Sequence, residues 1–302
     1  MKCIVYLGIF VAFAFVSAQI QPSASPDSLN DAPNERLEQI KQHINRGDYP
    51  AAKQGAEALF SYFIELDDPQ GQADVLNELG RIYRHQGNFD DAFEAFLDAL
   101  EIYLEFDNSL GAANAYNRLG ITYDYLAEPE LARQAYDQAY ILFEIADNPL
   151  GQGNTLMNIA ILDSDEAARQ GYLQALEHFA EIEDTQQRQL AQGRAYSNLG
   201  KLEIRLQHLD QARFYLDRAL KLFYALNAIK EQGDTYIGLG NLYLDLNEPK
   251  MALTHYKQSW RTYNDIGHVY KAHSLRRLGA YYLSQKDNTR TNAQRTPARE
   301  TD

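Results

Sequence analysis

Apolar residues recur along this chain at helical spacing. Leu76, Leu79 and Tyr83 stand at i, i+3 and i+7, and the same spacing returns at Tyr116, Leu119, Tyr123 and at Tyr236, Leu239, Tyr243. Each set predicts one face of an amphipathic helix, here called helix A. A short polar turn follows, as at Gly87-Asn88, Glu128-Pro129 and Glu248-Pro249, and then a second stripe, Ala92, Phe96, Ala99, Leu100 and Tyr103, predicts helix B. Asp68-Pro69 and Asn148-Pro149 separate helix B from the next helix A. An Asp or Asn before proline suits a capping residue followed by the first helical position, where the missing N–H costs nothing.

The pattern is periodic on a longer scale. Leu79-Gly80 returns as Leu119-Gly120, Ile159-Ala160, Leu199-Gly200, Leu239-Gly240 and Leu278-Gly279, four times after 40 residues and once after 39. Such a period marks an array of supersecondary units. Repeats fall near 34–70, 71–110, 111–150, 151–190, 191–230 and 231–269, followed by a capping helix at 270–285, so the array spans 34–285. A glycine inside a helix costs about 1 kcal/mol relative to alanine. Its return at Gly80, Gly120, Gly200 and Gly240 therefore predicts close approach of another backbone, and Ala92, Ala132, Ala168, Ala212 and Ala252 on helix B read the same way. The fourth repeat departs from the pattern: the spacing to helix B is four residues short around Asp163-Ser164-Asp165, and four residues return near Glu183–Gln189. Asp163 stands where the pattern has tyrosine. The slip reads as a tolerated change of loop, with a functional bend or notch as the other reading.

These residues carry a family likeness. An aromatic or Leu, then Leu-Gly, Tyr, Ala, aromatic and Ala at these spacings resembles the tetratricopeptide repeat, in a 40-residue variant with longer helices. The resemblance implies an all-α fold, a right-handed superhelical solenoid of antiparallel helix pairs with about six to seven repeats. It also implies a concave groove lined by helix-A side chains beside the Leu-Gly pair, and a protein or peptide as partner.

Composition limits the alternatives. A 302-residue chain with 45% hydrophobic and 23% charged residues is too apolar for disorder. Its net charge of −14 argues against general nucleic-acid binding. Residues 1–18 read as a secretory signal, with Lys2 ahead of an apolar run from Ile4 to Val16 and small residues Val16-Ser17-Ala18 at the cleavage positions. The run is short for a membrane span, so a membrane association is expected only if the leader is uncleaved. Export to a periplasmic or secreted location after cleavage near Ala18 is therefore expected. Residues 19–33 read as a disordered linker and 286–302 as a disordered tail. Cys3 is the only cysteine, so the mature chain has no thiol chemistry.

Catalytic constellations are missing from the sequence. It has no His-Glu-x-x-His, no zinc-type Cys/His spacing, no Gly-x-x-x-x-Gly-Lys-Ser/Thr loop and no Gly-x-Ser-x-Gly elbow. No enzyme activity, cofactor or metal is expected, and the tyrosines, among them Tyr83, Tyr116, Tyr123 and Tyr136, read as repeat core.

Candidate binding residues lie on helix A. Asn77, Asn117, Asn158 and Asn198 recur, each offering a donor and an acceptor to an extended peptide backbone. Arg81, Arg84, Arg118, Arg194, Lys201, Arg205, Arg276 and Arg277 outnumber Asp74, Glu78, Asp124, Asp234 and Asp245 on the same stretches. A locally basic groove on an acidic body suits an acidic peptide or a free C-terminus, because Arg forks pair well with carboxylates. The leading expectation is an exported, non-enzymatic peptide- or protein-binding scaffold. The alternative is a detached sensory or regulatory module of a bacterial signalling system.

Overall fold

The computed structural model describes residues 32–265. The expected leader 1–18, all but the end of the linker, the capping helix at 270–285 with Leu278-Gly279, Arg276 and Arg277, and the tail 286–302 lie outside the described residues. Within 32–265 the chain forms twelve α-helices and no strand. The A helices are α1 (Pro33–Arg46), α3 (Pro69–Gln86), α5 (Ser109–Tyr125), α7 (Pro149–Leu162), α9 (Thr185–Arg205) and α11 (Ile229–Asp245). The B helices are α2 (Tyr49–Glu65), α4 (Phe89–Glu105), α6 (Pro129–Ile145), α8 (Asp165–Ala180), α10 (Leu209–Ala225) and α12 (Pro249–Asp265). The described residues divide into two compact units, with the division between Ile102 and Tyr103. In the first, α1 packs on α2 and α2 on α3; in the second, each helix from α5 to α12 packs on the next. There α5 also meets α7, α7 meets α9 and α9 meets α11, so in this unit the A helices form a continuous layer.

One turn design joins nearly all of these helices. A residue in the left-handed conformation ends the turn's first half: Asp67, Asp107, Asp147 and Asn227 after B helices, and Gly47, Gly87, Ala127, Gln207 and Asn247 after A helices. The next N–H then donates back to a carbonyl five residues earlier, as from Asn88 to Tyr83 at 2.9 Å and from Asn148 to Phe143 at 2.9 Å. This satisfies carbonyls that the helix end would leave without partners. Asp, Asn and Gly fit because they tolerate positive φ better than other residues. Some of the following helices are capped in turn, with Asp68 accepting from Gly71 N at 3.0 Å and Asn148 from Gly151 N at 2.7 Å, whereas α6, α10 and α11 have no side-chain cap.

The Leu-Gly glycine makes room for a side chain, which corrects the expectation of a close backbone. A Cβ on Gly120 would lie 2.5 Å from the Tyr136 ring; on Gly80 it would meet Phe96 at 2.5 Å and on Gly240 Tyr256 at 2.3 Å. At Gly200 the intruding group is Leu216, again at 2.5 Å, with the Ala212 carbonyl further off at 3.2 Å. Seven residues along helix B stands a second ring, and seven residues back on the antiparallel helix A stands a second small residue. Gly153 faces Phe179, Gly193 faces Phe223 and Gly233 faces Tyr263. Each hairpin of this kind is therefore closed by two knobs in two holes. The first repeat reverses the sizes at one level, with Ile40 on helix A and Gly55-Ala56 on helix B, where a Gly55 Cβ would lie 3.3 Å from Ile40.

Helix A is buried more widely than its i, i+3, i+7 stripe suggests. In α3, Ala73, Val75, Asn77, Glu78 and Ile82 are buried as well as Leu76 and Leu79. The reason is that most A helices have a B helix packed on either side. Of the tyrosines read as core, Tyr136 is buried, whereas Tyr83, Tyr116 and Tyr123 are half-buried.

The fourth repeat carries its four-residue deficit mostly in helix α7, which has 14 residues where α5 has 17. Only Asp163 and Ser164 connect α7 to α8, and Asp163 is extended rather than left-handed. The compensating residues form an added helical turn, since α9 has 21 residues and begins at Thr185 with Asp184 capping Gln187 N at 2.8 Å. The slip is a transfer of one turn from one A helix to the next.

Candidate functional site

Four asparagines recur at nearly one spacing, yet they occupy three environments. Asn158 Nδ2 donates to Asn117 Oδ1 at 3.0 Å, joining neighbouring helices α7 and α5. Asn198 lines a cavity beside α7. Asn77 is only 6% exposed and its Oδ1 has no hydrogen-bond partner, so it is not displayed on an open groove. Register explains part of this. Asn77 and Asn117 precede Leu79 and Leu119 by two positions, whereas Asn158 and Asn198 precede Ile159 and Leu199 by one. A step of one residue turns a side chain by about 100° around a helix.

The expected basic surplus is largely consumed within the fold. Arg81 Nη1 lies 2.5 Å from Glu78, Arg194 Nη2 lies 2.6 Å from Glu231, and Arg205 holds Asp165 through Nε at 2.8 Å and Nη2 at 2.6 Å. Arg118 is half-buried on α5. Glu231 and Asp165 stand near the starts of α11 and α8, away from the Leu-Gly neighbourhood, which is why a count made beside that pair misses them. Burial works to raise the Glu231 carboxyl, but Arg194 outweighs it and holds the group below its usual range.

Lys201 differs from these arginines. It forms no ion pair or hydrogen bond among the described residues. Its side chain is exposed to solvent, yet the neighbouring protein atoms push the ammonium below the ordinary lysine range, and Asp234 pulls it part of the way back. Lys201, Asn198, Leu202 and Arg205 share one face of α9, three to four residues apart. Together with Ala160 and Ile161 of α7 and Tyr172 of α8 they line a cavity of about 150 Å³. This space adjoins the shortened end of α7.

A second recurring device joins one repeat to the next. A basic residue on helix B reaches the residue four positions after the Leu of the following Leu-Gly pair. Lys53 lies over the Tyr83 ring at 5.0 Å, and Arg213 lies over the Tyr243 ring at 5.4 Å while donating to its hydroxyl. Where tyrosine is absent the same contact is an ion pair. Arg133 holds Asp163, and Arg169 holds Glu203 through Nε at 2.8 Å and Nη2 at 3.0 Å. Glu203 is 1% exposed and also pairs with His208 Nδ1 at 2.9 Å. Burial would raise the Glu203 carboxyl; the Arg169 and His208 hydrogen bonds overcome this and hold it below its ordinary value. The partners are 30 residues apart in three cases and 34 across the shifted turn, and the recurrence of Lys53, Arg133 and Arg213 at twice the repeat period is the signal in the sequence.

Among the described residues no group of His, Cys, Asp and Glu is placed to hold a metal ion, and no helix is long and apolar enough to cross a membrane. Paired helices at a 40-residue period, with Leu-Gly on A and Ala and an aromatic on B, accompany matches to the tetratricopeptide-repeat family model at residues 71–144 and 193–224. The chain is a tetratricopeptide-repeat protein. No curated protein matches this tetratricopeptide-repeat chain in sequence. Solved structures share its fold. BtubC from P. vanneervenii is 18% identical, with a TM-score of 0.57 over 79% of this chain and 93% of that one. The apo quorum sensor NprR from B. thuringiensis is 16% identical, with a TM-score of 0.58 over 84% and 70%. A Rap protein complexed with competence and sporulation factor is 13% identical, with a TM-score of 0.60 over 83% and 75%. At these identities the likeness concerns the fold.

Proposed function

We propose that this tetratricopeptide-repeat protein is a non-catalytic scaffold that binds a peptide or protein partner along the A-helix layer of residues 103–265. The observation that carries the reading is the polar strip of that layer. Asn117 and Asn158 meet across two A helices, and Asn198, Lys201 and Arg205 continue on the third. Carboxamides at such positions offer donors and acceptors to an extended backbone. The Rap protein solved in complex with competence and sporulation factor adds a precedent for a protein of this fold bound to a partner. The arginines take a secondary part, because Arg194 and Arg205 already hold acids; an acidic ligand would compete with Glu231 and Asp165 for them. Residues 1–18 would direct export, with cleavage near Ala18, and N-terminal sequencing of the mature protein tests that point directly.

A photo-crosslinking amino acid placed at Asn158 in the A layer, and separately at Leu97 or Asp137 on B helices, tests the binding face. Crosslinks to a partner from position 158 and not from the B-helix positions are expected. Equal labelling from both layers would remove the assignment.

A further inference from the structure

Two B helices present exposed faces of opposite charge at the same register. On α4 the stripe at i, i+4, i+7, i+11 and i+14 is Asp90, Glu94, Leu97, Glu101 and Leu104, flanked by Asp91, Asp98 and Glu105. Leu97 is 51% exposed and Leu104 50%, so the stripe leaves apolar surface in water. Four repeats on, the same positions of α12 are Lys250, Thr254, Lys257, Arg261 and Asn264, with Met251 exposed beside them. Helix α4 carries six carboxylates and no Lys or Arg, whereas α12 carries three Lys and Arg side chains and a single acid, Asp265, at its end.

Both faces carry a cost within a single chain. Asp90 and Asp91 suit the positive start of α4, but Glu101 and Glu105 stand near its negative end. Along the helix, neighbours three and four residues apart bear like charge, which destabilises it. Asp98 shows the result: burial first, then Glu94 and Glu101, raise its carboxyl above the usual range. On α12, Lys257 and Arg261 repel each other in the same way. None of these acids on α4 and none of these cations on α12 forms an ion pair among the described residues.

We propose that α4 of one copy of this chain packs antiparallel on α12 of a second copy. The spacings fit that arrangement. Acids at 90, 94 and 101 are separated by four and then seven residues, and cations at 250, 257 and 261 by seven and then four. Antiparallel alignment therefore brings Asp90 to Arg261, Glu94 to Lys257 and Glu101 to Lys250 together. Leu97 falls opposite Thr254, and Met251 falls between the levels of Leu97 and Leu104, so apolar surface is covered as the charges meet. Parallel alignment at the repeat register pairs only two of the three and sets Leu97 on Lys257. The contact joins unlike faces, so association continues head to tail unless two copies close on each other through both contacts. A face of 17 residues spans about 25 Å, less than a stable complex needs, and the contact is weak, on the order of 0.1 mM. It uses B helices only and stands independently of the binding-face reading.

Sedimentation velocity of the full chain over a concentration series tests the contact. Association is expected to weaken about tenfold or more between roughly 0.05 and 0.5 M salt, because exposed pairs are screened. Glu94→Lys with Glu101→Lys, and separately Lys257→Glu with Arg261→Glu, change exposed side chains and should leave the circular dichroism spectrum unchanged. Each double variant alone should associate at least about tenfold more weakly, since like charges then face each other. Mixing the two should restore association, because the first variant keeps α12 intact and the second keeps α4. Growth beyond a pair in the unmodified chain would mark head-to-tail association and a limit at two copies a closed pair; either supports the proposal. A photo-crosslinker at Leu97 should yield a product of two chains that is lost in high salt, and none with a partner caught from position 158, so the two readings fail separately. A chain that stays single at about 1 mM in low salt would overturn the proposal. So would association that both variants leave unchanged, or variants that do not recover on mixing.

Discussion

In the third repeat Gly120 on helix A admits the ring of Tyr136 from helix B. In the fourth, Ala160 takes the glycine's place, and Gly171 on helix B faces it, where an added Cβ would come within 3.1 Å of the Ala160 methyl. Small residues have changed helices. The connection changes as well: α5 ends in a three-residue turn around left-handed Ala127, whereas α7 ends after 14 residues in an extended Asp163. Two hairpins of one array thus reach similar packing by different routes, and the second has a cavity at its end. A close-packed interior needs complementary sizes across the seam rather than any one residue at any one position.

The seams on either side of the fourth repeat offer the strongest way to sharpen this contrast. Arg169→Met leaves the buried Glu203 carboxylate without its main partner and should cost about 3–5 kcal/mol. Arg133→Met strips an ion pair that is more open to solvent and should cost about 1 kcal/mol or less. Urea unfolding of both variants compares them directly, and equal losses would break the distinction.

Size complementarity comes next. Gly120→Ala should destabilise by about 1–3 kcal/mol, since the Tyr136 ring is enclosed and cannot withdraw. Ala160→Gly should cost only about 1 kcal/mol, the difference in helix propensity. A melting midpoint unchanged by Gly120→Ala would show that the ring has room to move.

Acid adds a further separation. The Glu203 carboxyl is held below its ordinary value in the folded chain, so its contribution to stability is complete above the usual glutamate range and is lost as pH falls through the depressed value. Glu203→Gln should therefore flatten the acid side of a stability-against-pH curve, measured by denaturant midpoints. The smallest effect belongs to the turns. Ala127→Gly relieves a left-handed alanine and should stabilise by about 1 kcal/mol, whereas Asp163→Gly, at an extended position, should give no gain and lose the Arg133 contact.

The helix pairs, their period and two of their caps, Asp68 and Asn148, could be read from Leu-Gly, Asp-Pro and Asn-Pro. These are local signals whose cause and effect lie within a few residues. What Gly120 accommodates was not legible, because a mid-helix glycine reports that something is close without saying whether it is backbone or ring. Candidate groove residues fared less evenly for a related reason. Asn117 and Asn158 do meet, but Asn77 is enclosed, and a count of arginines beside Leu-Gly cannot see Glu231 or Asp165 arriving from other helices. Ion pairing is a property of three-dimensional neighbours, and a one-dimensional tally reports only half of each pair. The cavity was foreshadowed by the shortened spacing at Asp163, although its walls depend on the added turn of α9.

Phe143 illustrates how strongly adjacent hairpins depend on each other. Its ring packs with Ala113 in its own repeat and also fills the hollow at Gly151, where a Cβ would lie 2.2 Å away in the next repeat. Peeling away the fourth hairpin would uncover one side of a ring that belongs to the core of the third. In a one-dimensional lattice of repeats this is a large nearest-neighbour coupling with little independent stability per site. Amide protons of α5 to α7 should accordingly exchange together, through one shared opening, rather than fraying one hairpin at a time.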